Sequence, residues 1–237
     1  MPIKKFFAQI LEKISQHYLK KRIGEKWGLP RETIIKREYA NYEDYVRHQQ
    51  AKFSFKSICP VDLVDYDARY SEILYERLKS SNLIHRGSVL CLGARQGTEV
   101  KSFLKCGCFA VGIDLNPGEN NLLVLPGDFH KTQFSDNSID MVFSNSIDHV
   151  FDFDKLLMEI VRILNIGGLF IVEIGKGKNE DGSVSFYESL SWTTIDELIA
   201  LIIKKGFKVA LRRQIDFPFP GESIFFSLEG KAGTGPI

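Results

Sequence analysis

Two short stretches of the chain combine residue types that can hold a polar ligand. The first is Val89-Leu90-Cys91-Leu92-Gly93-Ala94-Arg95-Gln96-Gly97-Thr98-Glu99-Val100. It reads as an apolar strand, a tight glycine-containing turn and the start of a helix. In an open α/β sheet such a turn lies at the carboxyl edge, where ligands bind, and Gly93 lets the backbone approach a ligand closely. The second is Val111-Gly112-Ile113-Asp114-Leu115, a further strand ending in a carboxylate. A carboxylate at that edge can accept both hydroxyls of a ribose. Taken singly, each also suits a plain structural turn, since Asn116-Pro117 follows Asp114. Their joint occurrence points to a nucleoside-binding edge.

Positioning those residues requires a sheet, and the pattern after Ser80 supplies one. Strands are expected at 88–92, 109–113, 122–125, 139–143, 169–174, 207–211 and 224–228, with helices at 97–105, 154–164 and 194–205. Thr194 and Glu197 stand at capping-box spacing. Turns fall at Asn116-Pro117-Gly118, Pro126-Gly127 and Gly167-Gly168. Alternating strands and helices predict a mostly parallel sheet covered on both faces. The last two strands are joined by Phe217-Pro218-Phe219-Pro220-Gly221, which has no room for a helix, so the final pair is expected to be antiparallel. The fold class is therefore α/β, a Rossmann-like seven-stranded sheet with helices on both faces, an antiparallel last strand and an N-terminal helical extension.

The extension has a different texture. Ile3, Phe6, Phe7, Ile10, Leu11, Ile14 and Tyr18 recur at helical steps, which predicts a helix over 3–20. A weaker helix is expected over 42–52, a break at Pro60, and a third helix at about 67–80 with Tyr70, Ile73, Leu74 and Leu78 on one face. Residues 1–41 hold ten Lys/Arg against four acids in a chain whose net charge is +1. The basic helix at 3–20 suits a lid on the domain, contact with an anionic membrane surface, or a partner dock. The expected division is a cap over 1–66, the main domain over 67–230 and a loose Gly-rich tail over 231–237.

The 237 residues, 44% hydrophobic and 26% charged, are enough for one sizeable core plus an appendage. No window approaches the roughly 18 to 20 apolar residues that cross a bilayer, and the charged N-terminus lacks a signal-peptide pattern. Cys59, Cys91, Cys106 and Cys108 do not make a zinc set, because no second close pair or spaced histidine accompanies Cys106-Gly107-Cys108. A cytoplasmic protein without a metal, peripheral to the inner face of a membrane if the basic helix touches lipid, is the expectation.

With these features in hand, the sequence resembles the class I S-adenosylmethionine-dependent methyltransferases, especially the small-molecule branch of the ubiquinone-biosynthesis type. The resemblance runs from Val89 to Ile174 and continues more weakly to Leu228. It implies that Gly93, Ala94, Arg95, Gln96 and Gly97 form the glycine-rich cofactor loop, that Asp114 takes the ribose and that Leu115 lies beside the adenine. It also implies that Asp128, in Gly127-Asp128-Phe129, meets the adenine amino group, with Phe129 beside it. Ser144 and Asn145, opening Ser144-Asn145-Ser146-Ile147-Asp148-His149, would line the methionine end. Leu164-Asn165-Ile166-Gly167-Gly168-Leu169 resembles the turn before the family's fifth strand. The implied cofactor is S-adenosylmethionine, with S-adenosylhomocysteine as product.

Two positions depart from the family pattern. Cys91 stands where an acid is usual and Arg95 where glycine is usual. Glu99 is a candidate substitute for the acid that contacts the methionine ammonium group, and it equally suits the positive end of a helix. Arg95 could pair with the methionine carboxylate or point to solvent. Methyl transfer is largely a matter of orientation. For a hydroxyl acceptor a base helps, and His149, after the fourth strand, is the candidate. Tyr187, Glu188 and Trp192, with Tyr39, Tyr42 and Tyr45 from the cap, are candidate acceptor liners. The expected acceptor is a small molecule or a lipid- or glycan-linked one, and nucleic acid is disfavoured by the slightly acidic domain. A non-catalytic cofactor binder of the same fold is the alternative. A nicotinamide-dependent oxidoreductase is weaker, because Arg95 and Thr98 stand where its fingerprint needs glycine.

Overall fold

The structure, a computed structural model, describes residue 14 and residues 26–28, 33–54 and 60–230, with the side chains of 51–64 excepted. The expected helix over 3–20 lies outside the described residues apart from Ile14, which is helical and exposed. The tail 231–237 also lies outside them.

The elements in chain order are β1 (Ile34–Lys36), α1 (Tyr42–Ser54), α2 (Pro60–Lys79), β2 (Ser88–Leu92), α3 (Thr98–Lys105), β3 (Phe109–Asp114), β4 (Val124–Pro126), β5 (Ile139–Ser144), α4 (Phe153–Ile163), β6 (Leu164–Gly175), β7 (Leu190–Trp192), α5 (Ile195–Ile203), β8 (Phe207–Ile215) and β9 (Gly221–Leu228). Seven strands form one sheet in the order β4-β3-β2-β5-β6-β9-β8. The pairs from β4 to β6 are parallel, and β9 runs antiparallel to both β6 and β8.

The period-2 alternation of the central strands explains why both faces are covered. Leu90, Leu92, Val142, Phe170 and Val172 point into one core, roofed by Leu156, Ile160 and Ile163 of α4 and Leu198 and Ile202 of α5. Val89, Cys91, Met141, Phe143 and Ile171 point into the other, roofed by Tyr70, Leu74 and Leu78 of α2 and Val100 and Phe103 of α3. Asp152 caps α4 by accepting from the Lys155 amide, and Thr194 caps α5 by accepting from the Glu197 amide. The N–H of Ile195, the first residue of α5, donates to Glu180.

Several boundaries differ from the expected ones. Helix α2 starts at Pro60 rather than at about 67, because proline is tolerated in the first turn, where its missing N–H would be unpaired anyway. Strand β8 extends to Ile215 rather than 211. Its Lys208, Arg212 and Arg213 hide the strand in a hydropathy reading, yet alternate exposure is what a sheet edge requires. Strand β9 begins at Gly221, where the ladder to Gly175 and Ile215 already holds it. Strand β6 begins at Leu164, ahead of Gly167-Gly168, with a register shift between Ile139 and Met141 of its neighbour β5. The two-stranded sheet of β1 with β7, pairing Ile34 with Trp192 and Lys36 with Leu190, has no counterpart in the sequence expectations.

Candidate functional site

The carboxyl ends of β2, β3 and β5 open into a cavity of about 420 Å³. Its lining includes Gly93, Ala94, Arg95, Glu99, Asp114, Leu115, Phe129, Asn145 and His149, together with Tyr45, Gln49 and Glu188. Of the residues singled out in the sequence, Gln96, Gly97, Asp128 and Ser144 among the cofactor candidates, and Tyr39, Tyr42, Tyr187 and Trp192 among the acceptor candidates, do not line it.

The glycine turn folds back onto β3. The amides of Gly93 and Ala94 both donate to the Ile113 carbonyl, at 2.9 and 3.2 Å. Gly93 has φ +69°, and a Cβ there would stand 2.9 Å from the Ser146 Cβ, so only glycine lets β2 and the loop after β5 meet at this edge. Gly97 (φ +82°) starts α3 against Leu123 and serves packing. Gln96 is exposed. Arg95 keeps the left-handed conformation that glycine usually fills, with φ +44°, at a cost of roughly 1–2 kcal/mol. Its guanidinium lies 3.5 Å from Asp67 of α2, so it is neither simply solvated nor reserved for a ligand.

Asp114 is 8% exposed and held by two amides. Oδ2 accepts from Arg95 N at 3.0 Å and Oδ1 from Asn116 N at 2.8 Å. These bonds fix the orientation of a carboxylate that lines the cavity.

Glu99 lines the same cavity from the first turn of α3. Oε1 accepts from Asn145 Nδ2 at 2.9 Å, while Oε2 is buried with no protein partner. Burial pushes the carboxyl up to about 7, against the opposing pull of its own amide, Asn145 and Arg95. Asn145 also donates to the Tyr70 hydroxyl at 2.9 Å, and Tyr70 donates to Glu173 at 2.8 Å. Glu173 in turn pairs with Arg77. This chain was invisible in the sequence, where Tyr70 reads only as an apolar-face residue of a helix. Cys91 is wholly buried in the core of the adjacent sheet face, so it offers the cavity nothing where an acid is usual.

Asp128 faces α1 rather than the cavity. Its oxygens accept from Tyr42 Oη at 2.5 Å and from the backbone and Nδ1 of His130 at 2.8 and 2.7 Å. Burial acts to raise its pKa, and these hydrogen bonds outweigh it and hold the carboxyl down at about 2. Ser144 is a packing residue whose Oγ donates to the Leu92 carbonyl.

His149 sits in a 3₁₀ turn over Ile147–His149. Its Nδ1 is 2.9 Å from the Tyr187 carbonyl, which can only accept, so Nδ1 carries the hydrogen and Nε2 of the neutral ring keeps a lone pair. Nε2 lies 3.6 Å from Asp148 Oδ2. The Tyr187 loop is itself tied to the N-terminal segment. Arg37 donates to the carbonyls of Glu188 and Phe186, both at 2.9 Å, and Gln49 donates to the carbonyl of Tyr187 at 3.1 Å. Tyr39 bonds His48 Nδ1 and Ser189 Oγ, each at 2.8 Å. Of the tyrosines expected to line an acceptor pocket, Tyr39 and Tyr42 are therefore occupied by protein partners. Trp192 and Glu188 line a second cavity of about 300 Å³ that shares Asn145, Asp148, Glu188 and Phe219 with the first.

Among the described residues no group of His, Cys, Asp and Glu could hold a metal ion. No described helix is long and apolar enough to cross a membrane.

Comparison with known proteins agrees with this geometry. Residues 90–172 match a family model described as a methyltransferase domain. No curated protein matches the chain. Among solved structures, the chain is similar to Burkholderia thailandensis 1,6-didemethyltoxoflavin-N1-methyltransferase, solved with bound 1,6-didemethyltoxoflavin and S-adenosylhomocysteine. The TM-score is 0.61 at 16% identity, over 85% of this chain and 98% of that one. It is also similar to geranyl diphosphate C-methyltransferase from Streptomyces coelicolor, with a TM-score of 0.54 at 12% identity over 69% and 80% of the two chains. A SAM-dependent methyltransferase from Aquifex aeolicus gives a TM-score of 0.52 at 18% identity over 65% and 88%.

Proposed function

We propose that this chain, whose residues 90–172 match a methyltransferase domain model, binds S-adenosylmethionine in the 420 Å³ cavity and transfers the methyl group to a small-molecule or lipid- or glycan-linked acceptor. The observation that carries this reading is the convergence of the Gly93 turn, Asp114 and Glu99 on one cavity. When bound, the cofactor supplies an electrophilic methyl group on a sulfonium centre.

The chain's own residues divide the work. Asp114 takes the ribose hydroxyls, while Leu115 and Phe129 flank the base. Glu99 Oε2 takes the ammonium group in place of the acid missing at Cys91. Asp128 acts at one remove, since it holds Tyr42 of the cap. His149 Nε2 is positioned to take a proton from a hydroxyl acceptor, with Asp148 beside it to favour the imidazolium that forms. The second cavity, with Trp192 on its wall, is the proposed acceptor site. Residues 1–66 are proposed as a cap on a domain spanning 67–230. Contact of residues 3–20 with an anionic membrane is a separate proposal, tested by sedimentation with anionic vesicles.

Calorimetric titration with S-adenosylhomocysteine tests the core of this reading. Micromolar-range binding, about −8 kcal/mol, lost in Asp114→Ala and absent for NAD, is the expected result. Absence of binding to the wild-type protein would overturn it. The buried Cys91 favours a second reading, a cofactor binder without turnover. Methyl transfer to any acceptor in a screen excludes that alternative.

A further inference from the structure

Two buried polar atoms on the wall of this cavity have no protein partner, Glu99 Oε2 and the hydroxyl of Tyr45. The proposed ammonium contact uses the first. The second belongs to α1, outside the 90–172 segment. Tyr45 is fully buried, and its ring is held by Phe151 at 5.2 Å, Tyr42 at 5.3 Å, Tyr39 at 5.6 Å and His130 at 6.2 Å. A rigid tyrosine whose hydroxyl meets no partner forfeits a hydrogen bond. The missing partner must come from what enters the cavity.

The position of the hydroxyl identifies which part of a ligand that is. Tyr45 does not line the second cavity, so it stands away from the proposed acceptor. Burial and the neighbouring Tyr42 and Asp128 keep its proton on, which makes it a donor. Its ring packs at 6.2 Å on His130, in the segment that follows β4, the strand paired with the Asp114 end of β3, which places it on the Asp114 side of the site. Glu99, Asn145 and Tyr70 mark the other end.

We infer that the Tyr45 hydroxyl donates a hydrogen bond to an oxygen or nitrogen of the cofactor's nucleoside moiety, so that the cap helix forms part of the cofactor site. This rests on the methyltransferase reading above. It moves Tyr45 from the acceptor pocket, where the sequence suggested it, to the cofactor.

The test is calorimetry on the full chain, wild type and Tyr45→Phe, with S-adenosylhomocysteine and with adenosine, which lacks the amino-acid end. The substitution removes an unpartnered buried hydroxyl and keeps the ring, so the ligand-free variant should melt no lower than wild type. The expected result is a loss of about five- to tenfold in affinity for both ligands, the size of one hydrogen bond. Glu99→Gln should weaken S-adenosylhomocysteine alone. Unchanged affinities in Tyr45→Phe, or a loss confined to S-adenosylhomocysteine, would overturn the inference while leaving the methyltransferase reading intact. Failure of the wild-type protein to bind either ligand would overturn both.

Discussion

Glu99 sits in the first turn of α3 at 7% exposure, with one oxygen bonded to Asn145 and the other without a protein partner. Its carboxyl is pushed up to about 7 chiefly by burial, so the charged form costs the ligand-free fold free energy. The unfolded chain releases that proton near 4.5. Between about 4.5 and 7 the folded state binds the extra proton, and stability therefore falls as pH rises through that window and levels off above it. The shift corresponds to about 3 kcal/mol. Glu99→Gln should accordingly stabilise the ligand-free protein at pH 8 by up to about 3 kcal/mol and much less at pH 5. Denaturant titrations at the two pH values check this, and an equal gain at both would contradict it. Ligand binding has the opposite sign, because an ammonium group needs the ionised acid. Affinity for S-adenosylhomocysteine should rise about tenfold from pH 6 to pH 8 as a carboxyl with a pKa of about 7 ionises, and this dependence should vanish in Glu99→Gln. The sequence offered Glu99 only as a helix-start acid or a substitute for Cys91. Its missing partner is a property of burial, which no spacing reports.

Between elements, the β1–β7 ladder ties the N-terminal segment to the loop that orients His149. Arg37 follows β1 and donates to the carbonyls of Phe186 and Glu188, and the intervening Tyr187 carbonyl receives His149 Nδ1. Arg37→Ala should therefore lower kcat more than it weakens S-adenosylhomocysteine binding, because Glu188 of that loop lines the cavity proposed for the acceptor. Steady-state kinetics beside calorimetry would show the split, and equal losses in both would argue against it. At the turn after β2, Gly93→Ala should cost roughly 1–3 kcal/mol of stability. A Cβ there meets Ser146 at 2.9 Å in a backbone conformation that alanine disfavours. Thermal melts of the variant test that value. This turn could be read in the sequence because strand, glycine and helix start are contiguous. The ladder could not, because β1 and β7 are three-residue strands whose pairing is their only signature.

At the scale of the whole molecule, α2 is bound to the sheet by a buried ion pair. Glu173 of β6 is 1% exposed, accepts from Tyr70 and pairs with Arg77, which also donates to the Phe217 carbonyl. Removing one partner of such a pair strands the other charge, so Arg77→Ala should destabilise by about 3–5 kcal/mol, and adding Glu173→Gln should recover part of the loss. A double-mutant cycle by denaturant unfolding measures both steps. The sequence by itself determined the seven strands, their alternation with helices, the Gly93 turn and the carboxylate at Asp114. Period-2 and helical patterns, turn residues and caps are all written in neighbouring positions. Only the tertiary structure decided that Arg77 meets Glu173, that Asp128 is held by Tyr42, and that Tyr45 and Glu99 face one cavity with unpartnered polar atoms. Those facts depend on which distant residues the packed sheet and its helices bring together and which they cut off from water. Burial and partnership are set by the whole fold, whereas periodicity is set by the local chain.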